Sequence, residues 1–569
     1  MSSVLTRLQD IDVSYLVGLL KNIDISTLAV VAPSLFVLVH VVPYFWDSHR
    51  IRHYPGPFIA KFSDIWLGIV SKNGHRSEVV HEMHRKYGPF VRIAPNHVSV
   101  AEPDALGIIY AHGNGALKSN FYDAFVSIRR GVFNTRDRDE HTRKRKIVAH
   151  IFSQKNVVEF EPHIRLHVRS FIKQWDRLCD AAMKGMSGTE GEGWTGRDGR
   201  LWLDCLPWAN YLAFDIVGDL AFGAPFGMIE AAKDIAKVPK NQENAMNTYG
   251  KEDGVEELSV PAVKILNGRG EYSMSLGVLP PWWRPFVRQI PWYRRGSADV
   301  KTLAGIAIMA VKKRLATPAD RVDLLSKLKS AKDGNGNPMG REELTAEALT
   351  LLIAGSDTTS NSTCAIIYHL ARNPHVQEKL HKELDEQLGT EDEIAATGDQ
   401  VKRLPYLEAC INEGLRIHST SALGLPRVVP EGGLTICGQY FSPDTVVSVP
   451  SYTIHRDTNI WGEDVEEYRP ERWFERDQAA MQKTFNPFSV GPSSRTLPHP
   501  TSLFPAHSPS VSRACVGRNL AFLELQIICA SILRRYHFVL ENPDIPLQTR
   551  EGFLRKPLGC LVGIKRREV

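Results

Sequence analysis

An uncharged, strongly apolar stretch near the start of the chain, Ile25 to Trp46, restricts the possible folds more than any other segment. As a helix, a stretch of this length spans roughly 33 Å, which is enough to cross the hydrocarbon core of a membrane. Pro33 and Pro43 lie within it, but membrane helices tolerate proline. A buried helix of a soluble protein is the alternative, whereas the length and the lack of charge favour a membrane anchor.

The charges on either side predict how this anchor is oriented. Residues 1–24 carry three acidic and two basic side chains, whereas Arg50 and Arg52 follow the apolar stretch. Because basic residues stay on the cytosolic side, we expect the body of the protein in the cytosol. No small-residue cleavage site follows a short apolar core, so we expect the segment to be retained.

The composition is typical of a large globular body. The 569 residues include 69 basic and 64 acidic side chains, 43% hydrophobic residues and 8 cysteines. These values exclude a disordered tail, a collagen-like repeat and a disulfide-stapled mini-domain. The basic excess is too small to indicate nucleic-acid binding.

We predict four segments: a lumenal segment at 1–24, the anchor at 25–46, a basic and proline-containing hinge at 47–60, and one large domain at 61–569. Apolar periodicity predicts many helices and few strands, so the expected fold class is mainly α with a smaller β region. The expected helices are Ala346 to Leu370, Val376 to Leu388, Leu404 to Ile417 and Leu520 to Arg535, and the expected strands are Phe90 to Ile93, Leu434 to Ile436 and Thr445 to Val449.

Cys515, in the sequence Arg513-Ala514-Cys515-Val516-Gly517, is a candidate metal ligand. Gly517 permits close backbone approach, and the apolar stretch that follows would present a helix N-terminus to the sulfur. Such a position favours a thiolate, the form that binds metal. A lone cysteine beside a helix is more often a buried small hydrophobe, so the assignment depends on the other motifs.

A polar group, Ala354-Gly355-Ser356-Asp357-Thr358-Thr359, interrupts an otherwise apolar helical pattern. An acid and alcohols within a buried helix are costly unless they are hydrogen-bonded or used in chemistry. Gly355 could open room for a ligand against the helix face. The two threonines could simply bond to carbonyls one turn earlier; the functional alternative is a proton relay beside a bound small molecule.

Glu413 and Arg416 are three residues apart, so that their charges lie on one face of a predicted helix. The same spacing recurs elsewhere, for example at Glu82 and Arg85. The sequence Pro470-Glu471-Arg472-Trp473 could bring a second guanidinium to the carboxylate of Glu413. A buried Arg-Glu-Arg group of this kind would be structural rather than catalytic.

Four motifs, at 354–359, 413–416, 470–473 and 488–517, occur in the order found in the haem-thiolate monooxygenases, the cytochrome P-450 superfamily, which this chain resembles. The resemblance implies the fold of that superfamily behind an N-terminal transmembrane helix, with haem b as cofactor. It implies that Cys515 is the axial thiolate of the haem iron. It also implies that Asp357 and Thr358 are an acid–alcohol pair that delivers protons during dioxygen activation.

The resemblance further assigns residues around the haem. Where the family has a Trp-x-x-x-Arg helix, this chain has His141 and Arg145, so His141 replaces the tryptophan. Guanidinium groups suit the carboxylates of the haem propionates. The residues implied to contact the haem besides Cys515 are His141, Arg145, Arg427 and Arg513, and the implied structural triad is Glu413, Arg416 and Arg472.

A narrower resemblance, to fungal benzoate 4-monooxygenases, extends from about position 50 to the C-terminus. It implies para-hydroxylation of benzoate to 4-hydroxybenzoate at the endoplasmic reticulum membrane, with O2 and electrons from an NADPH-dependent flavoprotein reductase. Hydroxylation or O-demethylation of another plant phenolic is the alternative. The stretches that carry this resemblance are 112–115, 118–125, 134–146, 214–228, 418–427, 448–456 and 549–559.

An anionic substrate needs hydrogen-bond donors for its carboxylate, because a buried unpaired carboxylate is costly. Surface or capping duty is the alternative for each candidate donor. A basic cluster could receive an acidic face of the reductase, or could be a merely solvated surface. The candidate donors are Tyr122, Ser127, Arg129, Ser419 and Thr420, and the basic cluster is Arg143, Lys144, Lys146 and Arg518.

A serine- and proline-rich segment, Ser493 to Ser512, separates Phe488 from Cys515. Removing it restores Phe-Ser-Val-Gly-Pro-Arg-Ala-Cys-Val-Gly, the spacing that the resemblance implies. We therefore predict a retained intron. A genuine insertion is the alternative, since closing a loop of this length costs only about 2.7 kcal/mol. With the insertion, the second functional hypothesis is a non-catalytic, haem-poor membrane protein. The third is a plain helical membrane scaffold, in which the four motifs are coincidental.

Overall fold

The computed structural model describes residues 24–111, 113–251, 254–317, 323–332, 336–388, 394–490 and 513–568. Two expected segments therefore lie outside the described residues. These are the lumenal segment, except for Asp24, and the segment from Ser493 to Ser512.

Helices dominate the described residues, which confirms the mainly α fold class. The shorter α-helices, of four to seven residues, connect the longer ones or lie in the loops before the final helix. The helices of eight residues or more are α1 Ile25–Phe36, α2 Ile65–Asn73, α3 Arg76–Tyr87, α4 Pro103–Tyr110, α5 Arg138–Ile151, α6 Glu161–Met183, α7 Cys205–Phe222, α8 Ala262–Gly277, α9 Pro291–Ala316, α10 Arg341–Arg372, α11 Pro374–Leu388, α12 Pro405–Ile417 and α13 Arg518–Arg535. The shorter ones are Val42–Trp46, Gln154–Val157, Met228–Ala231, Gln242–Asn247, Arg284–Val287, Leu324–Ser330, Gly398–Val401, Ser451–Ile454, Thr458–Trp461, Arg472–Glu475 and Gln478–Thr484.

The strands form a smaller part of the described structure, in two larger sheets and three two-stranded sheets. The strands are β1 Phe90–Ala94, β2 His97–Val100, β3 Leu117–Lys118, β4 Trp194–Arg197, β5 Arg200–Asp204, β6 Ala236–Pro239, β7 Glu257–Val260, β8 Arg427–Val428, β9 Leu434–Ile436, β10 Gln439–Phe441, β11 Val446–Ser448, β12 Tyr536–Leu540, β13 Thr549–Glu551, β14 Arg555–Pro557 and β15 Leu561–Arg566. The larger sheets have the orders β1-β2-β11-β8-β3 and β12-β15-β5-β4, and β11 runs parallel to β2.

The helix α1 continues through a π-helical turn at Val37–Val41 to Trp46, in spite of Pro33. Its window Ala29–Trp46 has a mean hydropathy of 1.8 and no buried share. Asp47 ends the helix in a left-handed conformation, and its carboxylate accepts hydrogen bonds from the next turn of chain. The helix thus has the length and composition of a membrane span, which is the basis on which we expected an anchor.

The hinge that follows the apolar helix is packed against the first sheet. Arg92 N–H on β1 donates to Pro55 O at 2.8 Å. A Cβ on Gly56 would lie 2.1 Å from Arg92 O, so only glycine fits there. Tyr44 packs its ring against Phe62, with 4.7 Å between centroids. The hinge therefore fixes the end of the apolar helix to the body of the protein.

The largest hydrophobic core lies between the long helices, with α10 at its centre. α10 packs along α7 and also meets α12 and α13. An added Cβ at Gly355 would lie 2.8 Å from a Val217 methyl group on α7, so this glycine allows the two helices to approach. We expected Gly355 to make room for a ligand; the structure shows that it makes room for Val217.

Candidate active site

Cys515 lies where the loop after Phe488 meets the start of α13. Its N–H donates to Phe488 O at 2.9 Å, so the chain on the two sides of the segment 491–512 is joined by a direct hydrogen bond. The Cys515 side chain is exposed, and the backbone N–H groups of Gly517 and Arg518 face its sulfur. This is the helix N-terminus that the sequence predicted beside the cysteine.

The pKa of the Cys515 thiol is raised, because the surrounding protein desolvates the sulfur. The Gly517 N–H and the charges of Arg145 and Arg518 oppose that rise. These positive groups favour the thiolate form of Cys515, and the thiolate is the form of cysteine that binds metal.

Several cations gather in the same part of the molecule. Lys118 on β3 is in register with Arg427 on β8, and His141 and Arg145 lie one turn apart on α5. His141, Arg427 and Arg513 line one cleft. We call Lys118, His141, Arg145, Arg427 and Arg513 the cation cluster.

The cation cluster is strongly electropositive. Burial, together with the charges of the four neighbouring cations, lowers the pKa of His141 to about 2. Burial and the charges of Arg427, Arg513 and Arg145 hold the pKa of Lys118 well below its ordinary value. His141 is therefore neutral at physiological pH, and any further positive charge is disfavoured here.

The protein supplies hydrogen-bond acceptors for only some of the donors in the cation cluster. Arg427 Nη1 donates to Tyr122 Oη at 3.0 Å, and Arg145 Nη1 donates to Ala514 O at 2.7 Å. Arg513 Nη1 is buried and has no hydrogen-bond partner among the described residues. A buried cation without a partner is costly, so the cluster fits a ligand that carries carboxylates, as the haem propionates do.

Asp357 and Thr358 lie in the middle of α10. Thr358 Oγ1 donates to Ala354 O at 2.7 Å, which is the back-bonding that the sequence left open for these threonines. Asn361 Nδ2 donates to Asp357 Oδ1 at 3.0 Å. Burial raises the pKa of Asp357, against the charges of Lys556 and Arg269 and the Asn361 hydrogen bond. A carboxyl group that keeps its proton closer to neutral pH is suited to proton transfer.

The second threonine has a different partner. Thr359 Oγ1 donates to Glu524 Oε2 on α13 at 3.1 Å. Burial raises the pKa of Glu524 to about 8, so its carboxyl is largely protonated at neutral pH. The sequence did not single out Glu524, because it lies in an apolar stretch without a motif of its own.

Glu413, Arg416 and Arg472 meet in the interior, and all three side chains have 0% exposure. Arg416 pairs bidentately with the Glu413 carboxylate, with Nε and Nη2 at 2.9 and 2.8 Å from its two oxygens. Arg472 Nε adds a bond of 2.8 Å, and Trp473 Nε1 donates at 3.1 Å. Burial alone would raise the pKa of Glu413, but the two guanidinium charges outweigh it and lower the pKa.

The remaining guanidinium N–H groups of this triad bond to protein as well. Arg416 Nη1 donates to the carbonyls of His455 and Val465 at 2.9 and 2.8 Å. Arg472 Nη2 donates to Asp464 O at 2.9 Å. The triad thus joins α12 to the loops on both sides of residue 470, as a structural group would.

The candidate carboxylate donors from the sequence are differently placed. Tyr122 contacts the cation cluster, because its Oη accepts a hydrogen bond from Arg427. Ser419 Oγ bonds to His455 Nδ1 at 2.5 Å, and Thr420 Oγ1 lies 3.1 Å from Ser362 Oγ. Ser127 is half-buried and Arg129 is exposed. The structure brings these five residues to several places rather than to one.

The expectation that Lys144 belongs to a basic surface is wrong. Its side chain has 0% exposure and its Nζ lies 2.6 Å from Glu343 and 3.3 Å from Glu347 on α10. Arg143 also pairs with Glu343. These carboxylates come from a helix about 200 residues later in the chain, so the sequence gives no sign of the pairing. Lys146 is exposed.

A group of three buried thiols lies elsewhere on α7, α10 and the loop before β15. The sulfurs of Cys205, Cys364 and Cys560 lie within 4.8 Å of one another. None of the eight cysteines, all of which lie in the described residues, forms a disulfide. Cys515 is not part of that group, and it is the exposed cysteine next to the cation cluster.

Comparison with known proteins agrees with this geometry. The chain is 48% identical to Benzoate 4-monooxygenase bphA of Aspergillus niger, over 94% of this chain and 96% of that protein. It is 28% identical to Cytochrome P450 monooxygenase cicH of Emericella nidulans, over 95% of this chain and 99% of that protein. The sequence profile of the family Cytochrome P450 matches residues 55–494, and so ends inside the serine- and proline-rich segment. These matches mean that the chain belongs to the cytochrome P450 family of haem monooxygenases.

Proposed function

We propose that this monooxygenase hydroxylates benzoate at the para position, giving 4-hydroxybenzoate, with O2 and with electrons from NADPH through a flavoprotein reductase. The observation that carries the proposal is the 48% identity to Benzoate 4-monooxygenase bphA over nearly the whole of both chains. The other relative compared above and the family profile support the reaction class but not the substrate.

We propose that Cys515 is the ligand of the haem iron and that the cation cluster binds the propionates. The partnerless Arg513 Nη1, with Arg427 beside it, supports this assignment. When bound, haem supplies the iron centre at which dioxygen is activated, and a thiolate ligand favours O–O cleavage. The N–H groups at the start of α13 stabilise negative charge on the Cys515 sulfur.

In this proposal Asp357 and Thr358 move protons. The raised pKa of Asp357 favours a proton on its carboxyl, and Asn361 fixes the orientation of Oδ1. Thr358 Oγ1 donates to Ala354 O and can still accept a hydrogen bond from a neighbouring donor. Glu413, Arg416 and Arg472 act by holding α12 in place, without contact with substrate.

We also propose that the apolar N-terminal helix anchors the protein in the endoplasmic reticulum membrane, with the body in the cytosol. The exposed surface of Ala29–Trp46 and the following Arg50 and Arg52 support this orientation. Release by detergent but not by high salt, from fungal microsomes, is the expected result. Release by salt alone would contradict a spanning helix.

The test of catalysis compares the full chain with a variant that lacks Ser493 to Ser512. We expect the shortened chain, reduced and exposed to carbon monoxide, to show the red-shifted Soret band of a thiolate-ligated haem. With a reductase and NADPH, it should convert benzoate to 4-hydroxybenzoate, measured by chromatography. A Cys515→Ser variant is the matched control and should lack the band. A product from a methoxylated phenolic, but none from benzoate, would contradict the proposed substrate.

The full chain decides the status of the segment. The direct bond between Cys515 and Phe488 shows that the two flanks can meet, so a genuine insertion is geometrically allowed. If only the shortened chain binds haem, the segment is a retained intron and the full chain is a non-catalytic product. Transcript reads across the codons of Pro492 and Arg513 give an independent answer.

A further inference from the structure

A buried guanidinium that the haem site does not use lies on α8. Arg269 has 6% exposure, and its Nη2 donates to Phe125 O at 3.2 Å. Its guanidinium carbon lies 5.2 Å from the centre of the Phe125 ring. Burial lowers the pKa of Arg269 to about 10, against the charge of Asp357. A guanidinium has five N–H groups, so one carbonyl leaves much of its donor capacity for another acceptor.

A second cation lies beside Arg269. The Lys556 side chain on β14 has 12% exposure, and its Nζ is 3.6 Å from Glu271 Oε1. The same Glu271 oxygen is 3.0 Å from Arg550 Nε, so this carboxylate is shared between two cations. With Asp357 included, the group contains three cations and two acids. It therefore has room for one more negative charge.

Arg269 and Lys556 line one cavity with Asp357. The cavity is narrow, with a volume of about 20 Å³, and it is partly open to solvent. Leu266 and Ile353 supply apolar surface, and Ile353 and Asp357 belong to α10. The cavity thus lies against the helix that carries the proposed proton-transfer residues.

One aromatic ring, that of Phe553, forms another wall of this cavity. Phe553 lines it and packs edge to face against Phe125 and Phe133, with centroids 4.9 and 5.3 Å apart. Edge-to-face contacts are the geometry that aromatic rings prefer, and a ligand ring can join such a cluster. An aromatic ring next to two cations is complementary to an aromatic acid, which has a ring and a carboxylate.

We propose that Arg269, assisted by Lys556, binds the carboxylate of the aromatic acid substrate, while Phe553 packs against its ring. The identity of that acid as benzoate rests on the proposed function. Because the carboxylate and the para carbon are at opposite ends of the ring, holding the carboxylate determines which carbon is presented for oxidation. The residues that the sequence offered for this role do not form such a site.

The test measures dissociation constants of the holoenzyme for benzoate and for its neutral analogue benzamide, by calorimetry and by the ligand-induced Soret shift. In Arg269→Gln, benzoate binding should weaken by about 30-fold or more, because a charge-assisted bond to a buried carboxylate is lost. Benzamide binding should change by less than about 3-fold. Arg269→Lys should restore part of the benzoate affinity, and Lys556→Gln should weaken it by about 3- to 10-fold.

Arg284→Gln is the matched control. Arg284 is equally buried, at 6% exposure, but donates to the carbonyls of Leu279, Asn120 and Gly277 and does not line the cavity. The ratio of benzoate to benzamide affinity should stay at the wild-type value in this variant. An unchanged benzoate affinity in Arg269→Gln, or an equal loss for both ligands, overturns the proposal.

Turnover of the wild-type enzyme separates the two proposals. If it hydroxylates benzoate and Arg269→Gln binds benzoate normally, the proposed carboxylate site at Arg269 is wrong and the proposed function stands. If it does not hydroxylate benzoate, the same ligand pairs are measured with hydroxylated and methoxylated benzoic acids. An acid that binds through Arg269 then supports the carboxylate site at Arg269 while the proposed function fails. If no acid binds more tightly than its amide, the proposed carboxylate site fails as well.

Discussion

Two groups of buried arginines in this molecule differ in what satisfies their charge. Around Glu413, the guanidinium groups of Arg416 and Arg472 bond to the Glu413 carboxylate and to backbone carbonyls, and Arg472 also bonds to the Asp464 carboxylate. In the cation cluster, Arg427 and Arg513 lie beside other cations, and Arg513 Nη1 has no partner among the described residues. Arg427 is about as buried as Arg416 and Arg472, and Arg513 is half-buried, but the first group is internally complete and the second is not.

This difference distinguishes arginines that stabilise the fold from arginines that bind a ligand. Removing one partner of a buried ion pair whose donors are all hydrogen-bonded strongly destabilises the fold, because the other charge is left unpaired. A cluster of like charges destabilises the protein by itself and persists only where a ligand of opposite charge compensates it. The same residue type therefore indicates structure in one place and a carboxylate ligand in the other.

The largest effect is expected from Glu413→Gln. Removal of the carboxylate leaves the Arg416 charge without a counter-ion in the interior and leaves Arg472 only the part-exposed Asp464, which costs about 3–5 kcal/mol. Chemical denaturation measures the free energy of unfolding. Glu82→Gln is the matched control, since Glu82 pairs with Arg85 at the same spacing but on the surface, with 58% and 69% exposure. Its loss should stay below about 1 kcal/mol. Equal losses in the two variants would remove the distinction between the two groups.

A smaller effect with the opposite pattern is expected from Arg513→Gln. This change removes a charge from a group of like charges, so the free energy of unfolding of haem-free protein should not fall. Haem should be lost to apomyoglobin about 10-fold faster, since one charge-assisted contact to a propionate is missing. Arg472→Gln serves as the contrasting variant and should destabilise the haem-free protein. A similar destabilisation by Arg513→Gln would show that Arg513 is structural.

The smallest effect concerns the pH dependence of the haem-free protein. In the fold, burial and the neighbouring cations lower the pKa of His141 from 6.5 to about 2. Below pH 6.5 the unfolded chain therefore binds a proton that the folded chain does not, and stability falls as the pH falls. The slope due to His141 is at most about 1.4 kcal/mol per pH unit. His141→Phe should remove it in denaturation curves between pH 7 and pH 5; parallel curves for the two proteins would exclude this effect.

Much of the fold was predictable because local patterns determine it. The helices α10, α11 and α13 contain three of the four predicted helices, and α12 begins one residue after the predicted start at Leu404. Strands β1 and β9 contain two of the three expected strands, and β11 is one residue shorter than expected at each end. The position of Cys515 before a helix was predictable for the same reason, since Gly517 precedes an apolar helical stretch. Such signals depend on neighbours in the chain, and a sequence contains all of them.

The charge partners were less predictable, because they depend on residues that are distant in the chain. Lys144 was expected on the surface, but Glu343 and Glu347 bury it. Arg269 and Lys556 carry no motif, and their common cavity forms only when α8, α10 and β14 pack together. Glu82 and Glu413 have the same spacing to an arginine and opposite burial.

The sequence by itself thus determined the family, the order of its motifs, the apolar helix at the N-terminus and the cysteine that is proposed to bind iron. Only the tertiary structure decided which charges are compensated by protein and which are left for a ligand. The physical reason is that helix formation and capping depend on residues within one or two turns, whereas the electrostatic energy of a buried charge depends on every group around it.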